Sequence, residues 1–139
     1  MRLEDVNKTY VISLPKSDRL TDTMGILWSC AIEPEIWNAT RMENGADGLK
    51  ATFKAIFENA LKKGFSTCLI FEDDIKVANM SIGINAYMRR AVDYLPQDFH
   101  ILKFGANLLT PVIKYNDTIS GIHLSYALHA CLYLSLIHI

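Results

Sequence analysis

Thr67 to Asp74 reads TCLIFEDD, an apolar run leading straight into three acidic residues. Cys68, Leu69, Ile70 and Phe71 have the length and composition of a strand buried on both faces. Glu72, Asp73 and Asp74 stand where that strand ends. Adjacent carboxylates repel one another, and burying them without partners is costly. Open parallel sheets bind ligands beyond the carboxyl ends of their strands, so the triplet sits where chemistry is expected.

The flanking sequence supplies the rest of such a sheet. Tyr10 to Leu14 (YVISL) reads as a buried strand closed by Pro15. Ser17 is the expected N-cap of a helix with Leu20, Met24, Leu27 and Trp28 at helical spacing. A second strand is expected within residues 31–40, around Ile36 and Trp37. Asn44, Gly45, Asp47 and Gly48 mark a loop. Leu49, Phe53, Ile56, Phe57, Ala60 and Leu61 then form the apolar stripe of a helix that Gly64 ends. Another helix is expected from Ser81, with Ile84, Tyr87, Met88, Ala91 and Leu95 on one face and Pro96 beyond it. His100 to Phe104 is a fourth strand and Ser125 to Leu134 a fifth. Strands alternating with helices of this length predict an α/β fold, a mostly parallel Rossmann-like sheet with helices on both faces, in a single domain over 1–139.

The totals exclude several functions. Half of the 139 residues are hydrophobic, ample for one core, and 14 Lys and Arg balance 15 Asp and Glu. That balance predicts no nucleic-acid partner. The opening MRLEDVNKTY is too polar for a signal peptide. Cys30, Cys68 and Cys131 are far apart and odd in number, as expected of reduced residues in a cytoplasmic protein. The N-x-S/T matches at Asn38, Asn79 and Asn116 then have no glycan to carry. Leu124 to Ile139 is apolar at most positions and contains two histidines, too short for a membrane span. It ends without a polar tail, and its LSLIHI resembles translated adapter sequence. A fragment truncated at the C-terminus is expected, poorly soluble and inactive alone, with a core strand near Tyr126 to Leu134 lacking its covering layer.

A divalent cation is one resolution of the carboxylate repulsion. Carboxylates are hard ligands suited to magnesium or manganese, which also retain waters and take phosphate oxygens. In an extended segment Glu72 and Asp74 would share one side, leaving Asp73 on the other, anchored to nearby backbone. A solvated acidic turn or a helix cap is the alternative. Haloacid-dehalogenase-type phosphatases need an aspartate immediately after the strand, where Glu72 stands, and no D-G-T follows. A response-regulator receiver is another reading, with Lys103 in HILKFG as its strand-end lysine, but YVISLP offers no acid at the end of the first strand.

Taken together, five segments resemble glycosyltransferase family 25, the lipopolysaccharide-type glycosyltransferases. YVISLPKSDR resembles the family's opening V-I-N-L-like strand with its arginine, here Arg19. GLKATFKAIFENALKKG resembles the helix written G-C-x-x-S-H-x-x-x-x-x-x-A, with Gly48 and Ala60 in register. LIFEDDI is similar to the acidic signature, and LPQDFHILKFGAN to the L-P-x-D-W…Y-L-G-x-N segment. YALHACLY resembles T-H-A-Y-A-I, with His129 on its histidine. The resemblance spans about Tyr10 to Leu134. It departs at Thr52 and Phe53, where many members have Ser-His.

The resemblance implies a GT-A-type fold and transfer of a hexose, commonly galactose from UDP-galactose, to a glycan hydroxyl. The product would belong to lipopolysaccharide or surface polysaccharide, made in the cytoplasm at the inner face of the membrane. Glu72, Asp73 and Asp74 would manage a Mn2+ or Mg2+ ion that neutralises the diphosphate leaving group. Leu14, Pro15, Arg19, Asp73 and His129 would line the donor site. Inversion at the anomeric carbon needs a carboxylate base, for which Asp117 is the candidate within the chain. The second hypothesis is a non-catalytic sugar- or partner-binding domain of the same fold, to which Thr52 and Phe53 lend support.

Overall fold

The structure, a computed structural model, describes residues 6–76, 84–95 and 101–104, with strand segments at 107–108, 113–114, 120–121, 127–128 and 132–135. It is an α/β fold in which a small parallel sheet carries helices on both faces. Strands β1 (Lys8–Ser13), β2 (Glu35–Asn38) and β3 (Thr67–Glu72) run parallel, with β1 between the other two. Helix α1 (Arg19–Ser29) links β1 to β2, and α2 (Gly45–Lys62) links β2 to β3. The chain moves outward from β1 to β2 and then returns across β1 to β3. Because such crossovers are right-handed, reversing the direction of travel puts the two helices on opposite faces.

The side chains obey that geometry. Val11, Leu69 and Phe71 face Met24 and Leu27 of α1, together with Met88, Ala91 and Val92 of α3 (Ile84–Asp93). Tyr10, Ile12, Cys68 and Ile70 face Ile56 and Ala60 of α2. Alternation along β1 and β3 therefore divides one apolar run into two cores. Cys68 belongs to the second core, and burial pushes its thiol up to about 11, so it behaves as an inert apolar side chain.

Sheet order departs from the sequence expectation on its far side. A five-stranded sheet runs β2-β1-β3-β9-β4, with β4 at Ile101–Lys103 and β9 at Leu132–Ser135. Strand β9 pairs antiparallel with both β3 and β4, so the sheet is mixed there. The described segments that fall on the expected strand from Ser125 to Leu134 are β8 (Ala127–Leu128), paired with β5 (Asn107–Leu108), and β9. Strands β6 (Ile113–Lys114) and β7 (Ser120–Gly121) form a further antiparallel pair.

Helix ends and faces also need correction. Helix α1 starts at Arg19 after Asp18, without a side-chain cap, while the Ser17 amide closes a turn onto Leu14 O at 3.1 Å. Helix α2 starts four residues before Leu49, because Asn44 accepts the Ala46 amide and caps a turn that its glycines suggested was loop. Both helices end in the same reversal, with Ile32 N bonding Leu27 O and Phe65 N bonding Ala60 O. The left-handed residue is Gly64 in one (φ 71°) and Ala31 in the other (φ 55°). Trp28, Leu61 and Tyr87, placed on buried stripes by periodicity, are exposed. Gly48, Thr52, Ile56 and Ala60 form the deepest line of α2, and Leu49, Phe53 and Phe57 flank it half-buried.

Edge strand β2 is fastened to β1 by Lys8 Nζ on Glu35 Oε2 at 2.8 Å. The hydrogen bond from Lys8 holds the Glu35 carboxyl below its ordinary range, and the same bond raises Lys8. A depressed acid stabilises the fold above its unfolded value and loses that stabilisation as pH falls through its folded one. A raised lysine loses its contribution only as pH rises through its folded value. Both groups are largely solvated, so Glu35→Gln is expected to reduce stability by about 0.2–1 kcal/mol at neutral pH. Urea titrations at neutral pH and in acid check this, because the difference from the parent chain should shrink as pH falls.

Candidate functional site at the strand ends

The carboxyl ends of β1 and β3 lie side by side, with Ile12 opposite Glu72. The strand stops at Glu72, and Asp73 and Asp74 form a turn, so strand alternation no longer governs where they point. Asp73 is the buried member. Its Oδ2 accepts a hydrogen bond from Ser13 Oγ at 2.7 Å, and its Oδ1 lies 3.0 Å from an Arg19 guanidinium nitrogen. Its backbone carbonyl accepts from Thr23 Oγ1 at 2.8 Å. Asp74 is 41% exposed and meets the other Arg19 nitrogen at 3.5 Å through Oδ2.

Helix periodicity explains why α1 supplies two of these partners. Arg19 and Thr23 are one turn apart on the same face, so both reach the end of β3. Ser13 ends β1 on the same side of the sheet as Val11. The repulsion posed by the sequence is thus met for Asp73 and Asp74 by one shared guanidinium, with a hydroxyl bond to the buried Asp73.

The same end of the sheet is tied to the connection after β2. Ala39 N donates to Ser13 O at 2.8 Å, and Thr40 N donates to Thr52 Oγ1 at 2.8 Å. Thr52 Oγ1 passes its own proton to Gly48 O at 2.8 Å. A fully buried threonine therefore fixes the loop above α2. Gly48 is required for the approach, because a Cβ there would stand 2.5 Å from Thr40 O.

Connections leaving the neighbouring strands β1 and β2 part to opposite faces of the sheet. Ligands of open α/β sheets bind outside the strand ends at such a point. Leu14, Pro15, Arg41 and Met42 are exposed there. Lys16 takes a positive φ of 64° in the β1–α1 loop, a conformation that non-glycine side chains adopt at a cost.

Of the residues singled out from the sequence, the structure brings Asp73, Asp74 and Arg19 together. It sets Glu72 beside them, and Leu14 and Pro15 in the loop leading to Arg19. Asp117 and His129 lie outside the described residues, as does Cys131. Lys103 ends β4, separated from β3 by the intervening β9, and burial lowers its ammonium. Sequence reasoning missed Ser13, Thr23 and Thr52. The signals were the R-x-x-x-T spacing in α1 and the four-residue recurrence of small or polar residues in α2.

Among the described residues, no three acidic, histidine or cysteine side chains are grouped to hold a metal ion. Magnesium-type cations need less than that, taking one or two carboxylates with waters and phosphate oxygens. Asp74 suits such a role, being half-exposed with Oδ1 unpartnered among the described residues. Asp73 suits it poorly, since both oxygens are engaged and its side chain is 7% exposed. No protein-family model and no curated protein matches the chain. Among the described residues, no helix is long and apolar enough to cross a membrane.

Two substitutions probe the loop joint. Gly48→Ala is expected to destabilise the chain by about 1–3 kcal/mol, through overpacking against backbone that cannot yield. Thr52→Val strands the Thr40 amide and should cost a similar ~1–3 kcal/mol, whereas Thr52→Ser keeps both bonds and costs less. Chemical denaturation of the three variants checks the order, and equal losses for Val and Ser would contradict the hydrogen-bonding role.

Proposed function

We propose that this chain binds a nucleotide-sugar donor and serves a hexosyltransferase of GT-A type. The donor is a UDP-sugar, with galactose as the sugar the resemblance implies, and transfer proceeds with inversion. The acceptor is a hydroxyl of a lipopolysaccharide or surface-polysaccharide glycan, on the cytoplasmic side of the membrane. The observation that supports this reading is the junction of Ser13, Arg19 and Asp73. It sets an acidic turn and a guanidinium at the carboxyl end of β3, next to the loop leaving β1. The guanidinium can hydrogen-bond phosphate oxygens, and it stands at the sheet end where open α/β sheets bind ligands.

On this reading Leu14 and Pro15 border the nucleotide, and Arg19 faces its phosphates. Asp74, with Glu72, would hold a Mn2+ or Mg2+ ion. The ion would supply Lewis-acid neutralisation of the departing diphosphate. Asp117 and His129 remain candidates for the base and for a donor-pocket residue.

Titrating UDP with and without Mn2+ tests the proposal. Metal-dependent binding is expected, and Asp74→Asn should abolish most of it while leaving the far-ultraviolet circular dichroism unchanged. The amide keeps the shape of the side chain but loses the charge a hard cation requires. No binding at millimolar UDP by folded protein would instead favour the non-catalytic sugar- or partner-binding domain.

A further inference from the structure

We propose that Asp73 is a positioning residue for Arg19 rather than a metal ligand, and that the guanidinium it holds is the contact for the ligand's diphosphate. The second half rests on the donor-binding reading above, while the first stands on geometry alone. Asp73 is the buried acid of the three, and both of its oxygens are taken, one by Ser13 Oγ at 2.7 Å and one by Arg19 at 3.0 Å. Entry of a cation onto either oxygen would have to break one of these bonds in a nearly closed setting.

Arg19 is placed the opposite way. It is 56% exposed, at the first residue of α1, with its two terminal nitrogens on two different carboxylates. The contact to Asp73 is the shorter, and its acceptor is itself fixed by Ser13 and by Thr23 on the backbone carbonyl. The contact to Asp74 is longer and solvated. An arriving phosphate can therefore draw one nitrogen from Asp74 while Asp73 keeps the guanidinium plane in place. The freed guanidinium nitrogen can then donate charge-assisted hydrogen bonds to phosphate oxygens. The same exchange releases Asp74 Oδ2 for a cation, which would link arrival of the phosphate to metal binding.

The proposal is tested on the whole chain with UDP and with Mn2+ alone as probes. The Arg19 guanidinium Nη–H resonance, assigned by its loss in Arg19→Ala, should be protected in the parent chain and in Asp74→Asn but exchange-broadened in Asp73→Asn. Binding of UDP with Mn2+ should weaken at least tenfold in both Arg19→Ala and Asp73→Asn, as is usual when an orienting partner is lost. The double variant should be no weaker than the worse single one, because the two residues act as one unit. Mn2+ alone, followed by paramagnetic resonance, should bind Asp73→Asn within about twofold of the parent. Should Asp73→Asn fail to fold, Ser13→Ala loosens the same carboxylate and should speed exchange of the Arg19 resonance. An unchanged Arg19 resonance, additive losses in the double variant, or loss of Mn2+ in Asp73→Asn equal to that in Asp74→Asn overturns the proposal. A parent chain that binds no UDP defeats the donor-binding reading instead, and the Arg19 resonance then decides the positioning role.

Discussion

A buried carboxylate must be paired, and the pairing of Asp73 organises the functional end of this molecule. Removing a carboxylate from water costs several kcal/mol per ion, so burial is tolerated only where charge-assisted hydrogen bonds replace the lost hydration. Asp73 takes its bonds, two at the carboxylate and one at the backbone carbonyl, from two elements and ties them to a third. Ser13 comes from the end of β1, Arg19 and Thr23 from the first turns of α1, and the carboxylate itself follows β3. Each contact therefore fixes an element relative to the others as well as neutralising charge. Helix α1 cannot slide along the sheet without exposing an unpaired acid.

That junction continues into a polar seam across the strand ends. Ser13 joins Asp73 through its hydroxyl and Ala39 through its carbonyl, so one residue couples the end of β3 to the loop after β2. Thr52 carries the seam into α2 by bridging Thr40 and Gly48. Beneath it lie the two apolar layers, which supply the cohesion that hydrogen bonds alone do not. The arrangement is directional: the layers hold the strands together, and the seam sets which loops meet above them.

Much of the parallel half was legible from periodicity alone. The TCLIFE run and all but the last residue of YVISL appear as strands buried on both faces, as strands flanked by helices should be, while Leu14 lies beyond β1 and is exposed. Gly64 could be assigned to a helix end since its left-handed conformation is one that favours glycine. Periodicity failed where small or polar residues took core positions. Hydrophobic counting placed Ile56 and Ala60 correctly but also put Phe53 and Leu61 on the buried stripe of α2, whereas close approach to the sheet selected Gly48 and Thr52. The antiparallel insertion of β9 was illegible for a different reason, since an apolar run carries no mark of strand direction. At the site, the acidic triplet was visible but its division of labour was not. Which acid is buried depends on where Ser13 and Arg19 come to rest, and that is a tertiary fact.

The charges at the strand ends carry the functional argument one step further. Asp73 and Asp74 bring two negative charges against the one guanidinium that both contact, an excess of one negative charge at that junction. A diphosphate approaching that junction meets a guanidinium already shared between two carboxylates. Unaided, the balance is repulsive, and partial exposure of Asp74 screens it only in part. A divalent cation offsets that excess where it lies, and a magnesium-type ion takes a carboxylate and phosphate oxygens at the same time. The proposed donor-binding role and the proposed metal thus require each other electrostatically. Arg19 holds the site together before ligand arrives, but it does not carry enough charge to receive a nucleotide diphosphate alone.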